Sequence, residues 1–205
     1  KETYWNYFDR GFIKSARNFL NVNAQERNIF VDGSSKMGFD QDGSDRYKLG
    51  YNFAKENYKA LTEGLAEGET FKLVGHSEGA AWASGISTYL IEQGHKVESI
   101  LQLSPDETSD FTNPSEPTTF RVHAVNDLVS QYQVMNNVDY VFELNNEGIE
   151  YAHGATVNGS TLNQLKNYKE RLDNKSYSRR NIYSVLSKSI RDVFYHIWKI
   201  KPNNE

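Results

Sequence analysis

Phe71-Lys72-Leu73-Val74-Gly75-His76-Ser77-Glu78-Gly79-Ala80-Ala81 decides how this chain folds. A short apolar run enters G-x-S-x-G, and small residues leave it in a helical pattern. A sharp strand-to-helix turn of this kind strains the serine backbone and lifts its hydroxyl to the top of a sheet. Gly75 and Gly79 are expected to give the turn room, while Ala80, Ala81 and Ala83 let the helix pack tightly. The helix N-terminus favours negative charge developing beside that hydroxyl. Ser77 is therefore a candidate nucleophile, the competing reading being a purely structural turn.

Downstream, residues 78–93 read as the helix of this turn, closed by Gly94, and residues 97–103 as the next strand, ended by Ser104-Pro105. Residues 106–117 are acidic and rich in Pro, Ser and Thr, which marks a loop. Strands are expected over 118–125, ended by Asn126-Asp127, and over 138–144. Upstream, Trp5, Phe8, Phe12, Ala16 and Phe19 recur at three- and four-residue spacing, which predicts an amphipathic helix over 3–20. Residues 28–32 read as a buried strand stopped by Gly33-Ser34-Ser35. Tyr47, Tyr51, Ala54, Tyr58, Leu61 and Leu65 mark a long helix capped by Ser44 or Asp45. Residues 161–172 and 180–199 read as closing helices. Strands alternating with helices predict an α/β fold, a mostly parallel central sheet with helices on both faces. Sites in such sheets lie beyond the carboxyl ends of the strands. With no repeat or linker, residues 1–205 are expected to form a single domain.

The formal net charge of -4 leaves no basic footprint for nucleic acid. Cysteine is absent, which excludes disulfides, thiol catalysis and Cys-based zinc sites. No apolar run approaches a membrane span. Aromatic residues make up 13% of the chain and fit either an aromatic core or an aromatic-lined acyl cleft. The opening Lys1 suggests a processed product or a fragment of a larger parent.

A serine hydroxyl attacks only when a base takes its proton, and a carboxylate must orient that base. Asp127 is the leading acid, just after the strand ending His123-Ala124-Val125, with Asp106 as its rival one strand earlier. His153, in Glu150-Tyr151-Ala152-His153-Gly154, is the leading base. Of the other histidines, His76 lies in the elbow and is expected to point elsewhere, His95 is on a turn, His123 in a strand and His196 in the last helix. The order Ser77, Asp127, His153 is the serine–acid–histidine order of the α/β-hydrolases. The oxyanion hole needs two backbone amides, for which Glu78 and Ser34 are the candidates, though Asp32-Gly33-Ser34 also reads as a plain turn.

Across residues 28–155 the chain resembles the class 3 lipase branch of the α/β-hydrolases. Val31-Asp32-Gly33-Ser34 is similar to that family's oxyanion strand and loop, and Gly75-His76-Ser77-Glu78-Gly79-Ala80 to its elbow. Phe120-Arg121-Val122 leading to Asn126-Asp127-Leu128-Val129 resembles its acid segment, and Tyr151-Ala152-His153 its histidine segment. The resemblance implies an α/β-hydrolase-type fold, acyl-ester substrates such as acylglycerols or phospholipids, and neither cofactor nor metal. It also implies Ser77, Asp127 and His153 as the triad, with Ser34 and Glu78 as oxyanion donors. A looser likeness is to the lipase-type effector domains that bacteria inject into competitors. That likeness implies a chain secreted or delivered to another cell, a membrane phospholipid target and a cognate immunity protein.

Three features depart from the class 3 pattern. Glu78 stands where relatives carry an apolar residue, so its carboxylate is expected to face a cation rather than the oxyanion. The chain is short, and its only lid candidate is the small polar stretch 36–44. Asp40-Gln41-Asp42-Gly43-Ser44-Asp45 resembles a calcium loop, but its glycine is fourth rather than sixth, so a capped turn before a helix fits better. The basic, apolar-faced segment 180–199 reads as a closing helix, with peripheral membrane contact as its alternative. An acyltransferase or thioesterase on the same triad, and a non-catalytic binding domain of the same fold, remain as rival functions.

Overall fold

The computed structural model describes residues 2–23, 25–33, 41–130, 135–145, 152–174 and 196–201. Among these residues, five strands form one sheet in the order β1 (Phe71–His76), β2 (Val97–Leu103), β3 (Thr118–Ala124), β4 (Tyr140–Asn145) and β5 (His196–Lys201). The first four are parallel neighbours in chain order, and β5 adds to β4 antiparallel.

The side-chain period of the strands puts helices on both faces. Leu101 and Leu103 of β2, Phe120, Val122 and Ala124 of β3, and Phe142 and Leu144 of β4 share one face. Against it pack α2 (Phe12–Phe19), through Phe12, Ala16 and Phe19, and α6 (Gly159–Asn174), through Leu162 and Leu165. Val97 and Ile100 belong to a second core with Ala83, Ile86 and Leu90 of α5 (Gly79–Glu92) and Ala54 of α3 (Gly43–Glu56). Opposite Leu101 and Leu103, Gln102 is buried, and its Nε2 donates to Ser84 Oγ at 2.9 Å and to Asn113 Oδ1 at 2.7 Å. That bond set ties β2 to α5, the helix that follows Ser77.

α3 and α5 cross at two glycines. A Cβ on Gly85 would lie 2.0 Å from the Tyr47 carbonyl oxygen, and one on Gly50 would lie 2.3 Å from that of Trp82. Alanine at Gly85 gains about 1 kcal/mol of helix propensity. It must also push two backbones apart, at a cost of about 1–3 kcal/mol or more. Gly85→Ala is thus expected to lower the urea midpoint, and an unchanged or raised midpoint would contradict this close crossing.

The structure corrects several expectations. The helix expected over 3–20 is two helices, α1 (Glu2–Phe8) and α2. Asp9 breaks it: its carboxylate accepts the Gly11 amide at 2.8 Å and the Gly159 amide at 2.6 Å, the latter at the start of α6. Residues 28–32 are not a strand, because that segment forms no ladder among the described residues and leaves Ile29 exposed. The long helix over 47–65 ends at Glu56, and a short helix, α4 (Tyr58–Thr62), follows Asn57. Its cap is Asp42 rather than Ser44 or Asp45, with Asp42 Oδ1 accepting the Asp45 amide at 2.8 Å. Residues 196–199, expected in the last helix, belong to strand β5, where an open ladder on β4 was available to pair with. Residues 180–195 of that expected helix, and residues 36–40 of the lid candidate, lie outside the described residues. Among the described residues, no helix is long and apolar enough to cross a membrane.

Candidate active site

Ser77 joins β1 to α5 with φ of 54°, a left-handed conformation that a non-glycine residue rarely adopts. Neighbouring chain holds it there. The Ser77 amide donates to the Leu103 carbonyl at 3.0 Å, and the Ser77 carbonyl accepts the Ala80 amide at 3.0 Å. Gly75 is required, since a Cβ there would lie 2.4 Å from the Gly79 carbonyl oxygen. At Gly79, expected to give room as well, an added Cβ meets nothing within 4 Å among the described residues.

Glu78 opens α5, which places its amide in the first turn beside Ser77. Its carboxylate turns to a cation: Arg46 Nη2 of α3 lies 2.8 Å from Glu78 Oε1. Arg46 is buried and also faces Asp106 at 3.6 Å and Glu107 at 3.8 Å. Asp106, the rival acid, is thus engaged with Arg46, while its amide approaches the Ser77 carbonyl at 3.4 Å. Ser34 lies outside the described residues; the preceding Gly33 sits against Trp82 of α5, where a Cβ would lie 3.3 Å from the indole.

Asp127 and His153 are brought together. His153 Nδ1 lies 3.0 Å from Asp127 Oδ2 and 3.1 Å from Oδ1. Asp127 is 1% exposed, in the turn that leaves β3. Its oxygens also accept the Ser130 hydroxyl at 2.7 Å and the Val129 amide at 3.0 Å. Burial alone would raise its pKa, but hydrogen bonds from His153, Ser130 and Ser104, with the nearby His153 charge, hold it well below the usual carboxylate range. The acid is therefore an anion that only accepts, and His153 Nδ1 donates to it. That leaves Nε2 as the basic atom of the ring. Ser104 adds a second strained position: φ is 42° at the end of β2, and its buried hydroxyl lies 3.1 Å from Thr156 Oγ1, three residues past His153.

His76 does not point elsewhere. Its Nε2 donates to the His153 carbonyl at 3.1 Å, its Nδ1 lies 2.5 Å from the Tyr4 hydroxyl of α1, and the two imidazole centroids are 4.9 Å apart. The residue next to Ser77 is thereby bonded to the residue that pairs with Asp127. His76, Tyr4, Arg46, Ser104 and Ser130 were not assigned this role from sequence. The elbow position of His76 was visible there, but its partner 77 residues away was not.

Two buried histidines make stability depend on pH. Burial lowers the pKa of His76 to about 4, and burial with the Arg121 charge lowers that of His123 to about 4. Both take up protons more readily unfolded. Their contribution is therefore full above the ordinary histidine value and shrinks as pH falls from about 6.5 to 4. Each costs at most about 1.4 kcal/mol per pH unit in that window. Thermal denaturation between pH 7 and 4.5 should show a falling Tm, and His123→Gln should flatten the slope. A Tm constant over that range would contradict the neutral burial of both rings.

No protein-family model matches the chain, and no curated protein matches it significantly. Among solved structures it is similar to an inferred cell surface hydrolase of Lactobacillus plantarum at 15% identity, over 69% of this chain and 68% of that one, with a TM-score of 0.40. It is also similar to a protein of unknown function from Agrobacterium tumefaciens, inferred to be an α/β-hydrolase, at 13% identity. That match covers 80% of this chain and 77% of the other, with a TM-score of 0.42. Both likenesses are distant, and the class follows from the chain's own topology. The fold is of the α/β-hydrolase type: a mostly parallel sheet with helices on both faces and a strained serine elbow between β1 and α5. Among the described residues, no group of three or more His, Asp or Glu side chains is arranged to hold a metal ion.

Proposed function

We propose that this protein is a serine ester hydrolase that acts on lipid acyl esters. The observation that carries the reading is the strained elbow at Ser77, bonded through its neighbour His76 to a histidine paired with a buried aspartate. In the proposed cycle His153 Nε2 takes the Ser77 proton as Oγ adds to the ester carbonyl. The Glu78 amide, with Ser34 as second donor, holds the oxyanion. His153 gives the proton to the leaving alcohol, which departs as the tetrahedral adduct collapses to an acyl-serine. Water, deprotonated by the same imidazole, then releases the fatty acid and restores Ser77.

The lipid part rests on the class 3 resemblance and on an apolar rim. Val125, Leu128 and Val129 are exposed on the turn that carries Asp127, Leu128 at 70%. Aliphatic side chains in water around an acid turn suit contact with acyl chains better than with a polar substrate. Delivery to another cell, a phospholipid target and an immunity partner belong to the same proposal and rest on the effector likeness alone. Release of fatty acid from mixed phospholipid vesicles, lost in Ser77→Ala, is the expected result. Cleavage of soluble esters or thioesters with no release from vesicles would keep the triad and overturn the lipid assignment.

A further inference from the structure

We propose that His76 is a positioning residue for His153 and that Tyr4 sets its working tautomer. The inference rests on the Ser77–Asp127–His153 reading. His76 is the last residue of β1, so its ring is carried by the sheet and precedes Ser77 directly. His153 sits on a turn, with its side chain 34% exposed, and packing alone does not fix it. The 3.1 Å bond from His76 Nε2 to the His153 carbonyl pins that turn to the strand carrying the nucleophile. One bond thereby sets the separation of base and serine, while Asp127 sets the rotation of the base.

The bond requires a proton on His76 Nε2, because a carbonyl only accepts. Imidazole alone has two neutral tautomers, and the other would aim a lone pair at that carbonyl. The Tyr4 hydroxyl, donating to Nδ1 at 2.5 Å, selects the productive one. It also makes α1 part of the site's support. Burial, which lowers the pKa of His76 to about 4, keeps the ring neutral near pH 7. No fixed positive charge then opposes the imidazolium forming on His153, whose ring centroid is 4.9 Å away.

The test is the rate at which a fluorophosphonate labels Ser77, read beside the far-downfield proton resonance of His153 Nδ1–H, in wild type, His76→Leu, His76→Gln and Tyr4→Phe. His76→Leu should slow labelling about 10–100-fold, as expected for a misplaced base, and broaden or remove the resonance. The glutamine amide can reach the place of Nε2, so His76→Gln should recover most of the rate and the resonance. Tyr4→Phe should slow labelling about 3–10-fold, one hydrogen bond's worth. Wild-type rate and resonance in His76→Leu would overturn the proposal. So would equal losses in the leucine and glutamine variants, which would mark His76 as packing only. If His76→Leu does not fold, the glutamine and Tyr4 variants decide by the same criteria. A wild type that is not labelled at Ser77 fails the triad reading itself, whereas a labelled wild type with indifferent variants fails the positioning role alone.

Discussion

Asp127→Asn leaves the protein folded and lowers ester turnover about 10⁴-fold, the loss expected when a triad histidine is held in the wrong tautomer. Asparagine can still accept the Val129 amide through Oδ1, and its Nδ2, in the place of Oδ2, can donate to the Ser130 hydroxyl oxygen, so the turn after β3 stays tied. Its amide nitrogen donates, however, and the atom facing it is His153 Nδ1. The imidazole then carries its proton on Nε2, where it cannot take one from Ser77. Activity against a soluble ester and thermal denaturation, measured together, separate this effect from unfolding. A loss below tenfold would remove Asp127 as the acid and return the role to Asp106.

Arg46→Met has the second large effect, and it acts on both stability and rate. The buried guanidinium faces Glu78, Asp106 and Glu107, three carboxylates that repel one another without it. All three reach water in part, so the expected loss is about 2 kcal/mol, in the range of charged hydrogen bonds rather than a stranded buried ion. The rate falls for a separate reason. In the proposed cycle Glu78 supplies an oxyanion amide, and its released carboxylate would place a negative charge near the forming one. A repulsion of about 1.4 kcal/mol slows the step tenfold. Arg46→Met/Glu78→Gln should therefore regain the rate while staying less stable than wild type. A double variant no faster than Arg46→Met would show that Arg46 acts through helix placement rather than charge.

The elbow and the four parallel strands were legible because each is a local pattern: a short apolar run stopped by turn residues. The orientation of Glu78 was legible as well, since a carboxylate beside a candidate oxyanion donor is expected to turn toward a cation, and Arg46 is the cation it meets. What escaped the sequence depends on partners far along the chain. Asp9 splits the N-terminal helix because it reaches Gly159, and His76 serves His153 across the sheet end. Residues 28–32 carry a strand's composition without a ladder, and His196–Lys201 becomes a strand because β4 offers one. Short apolar runs are ambiguous in period, so pairing decides them. The α3–α5 crossing was also invisible, because Gly50 and Gly85 read as ordinary helix glycines until they are brought into contact with the opposite backbones.

The most direct measurement is reaction of the folded protein with a fluorophosphonate, followed by mass spectrometry of its peptides. The nucleophile reading predicts one adduct, on Ser77, formed quickly in wild type, slowly in Asp127→Asn and not at all in Ser77→Ala. An unlabelled wild type, or an adduct on another serine, would contradict it.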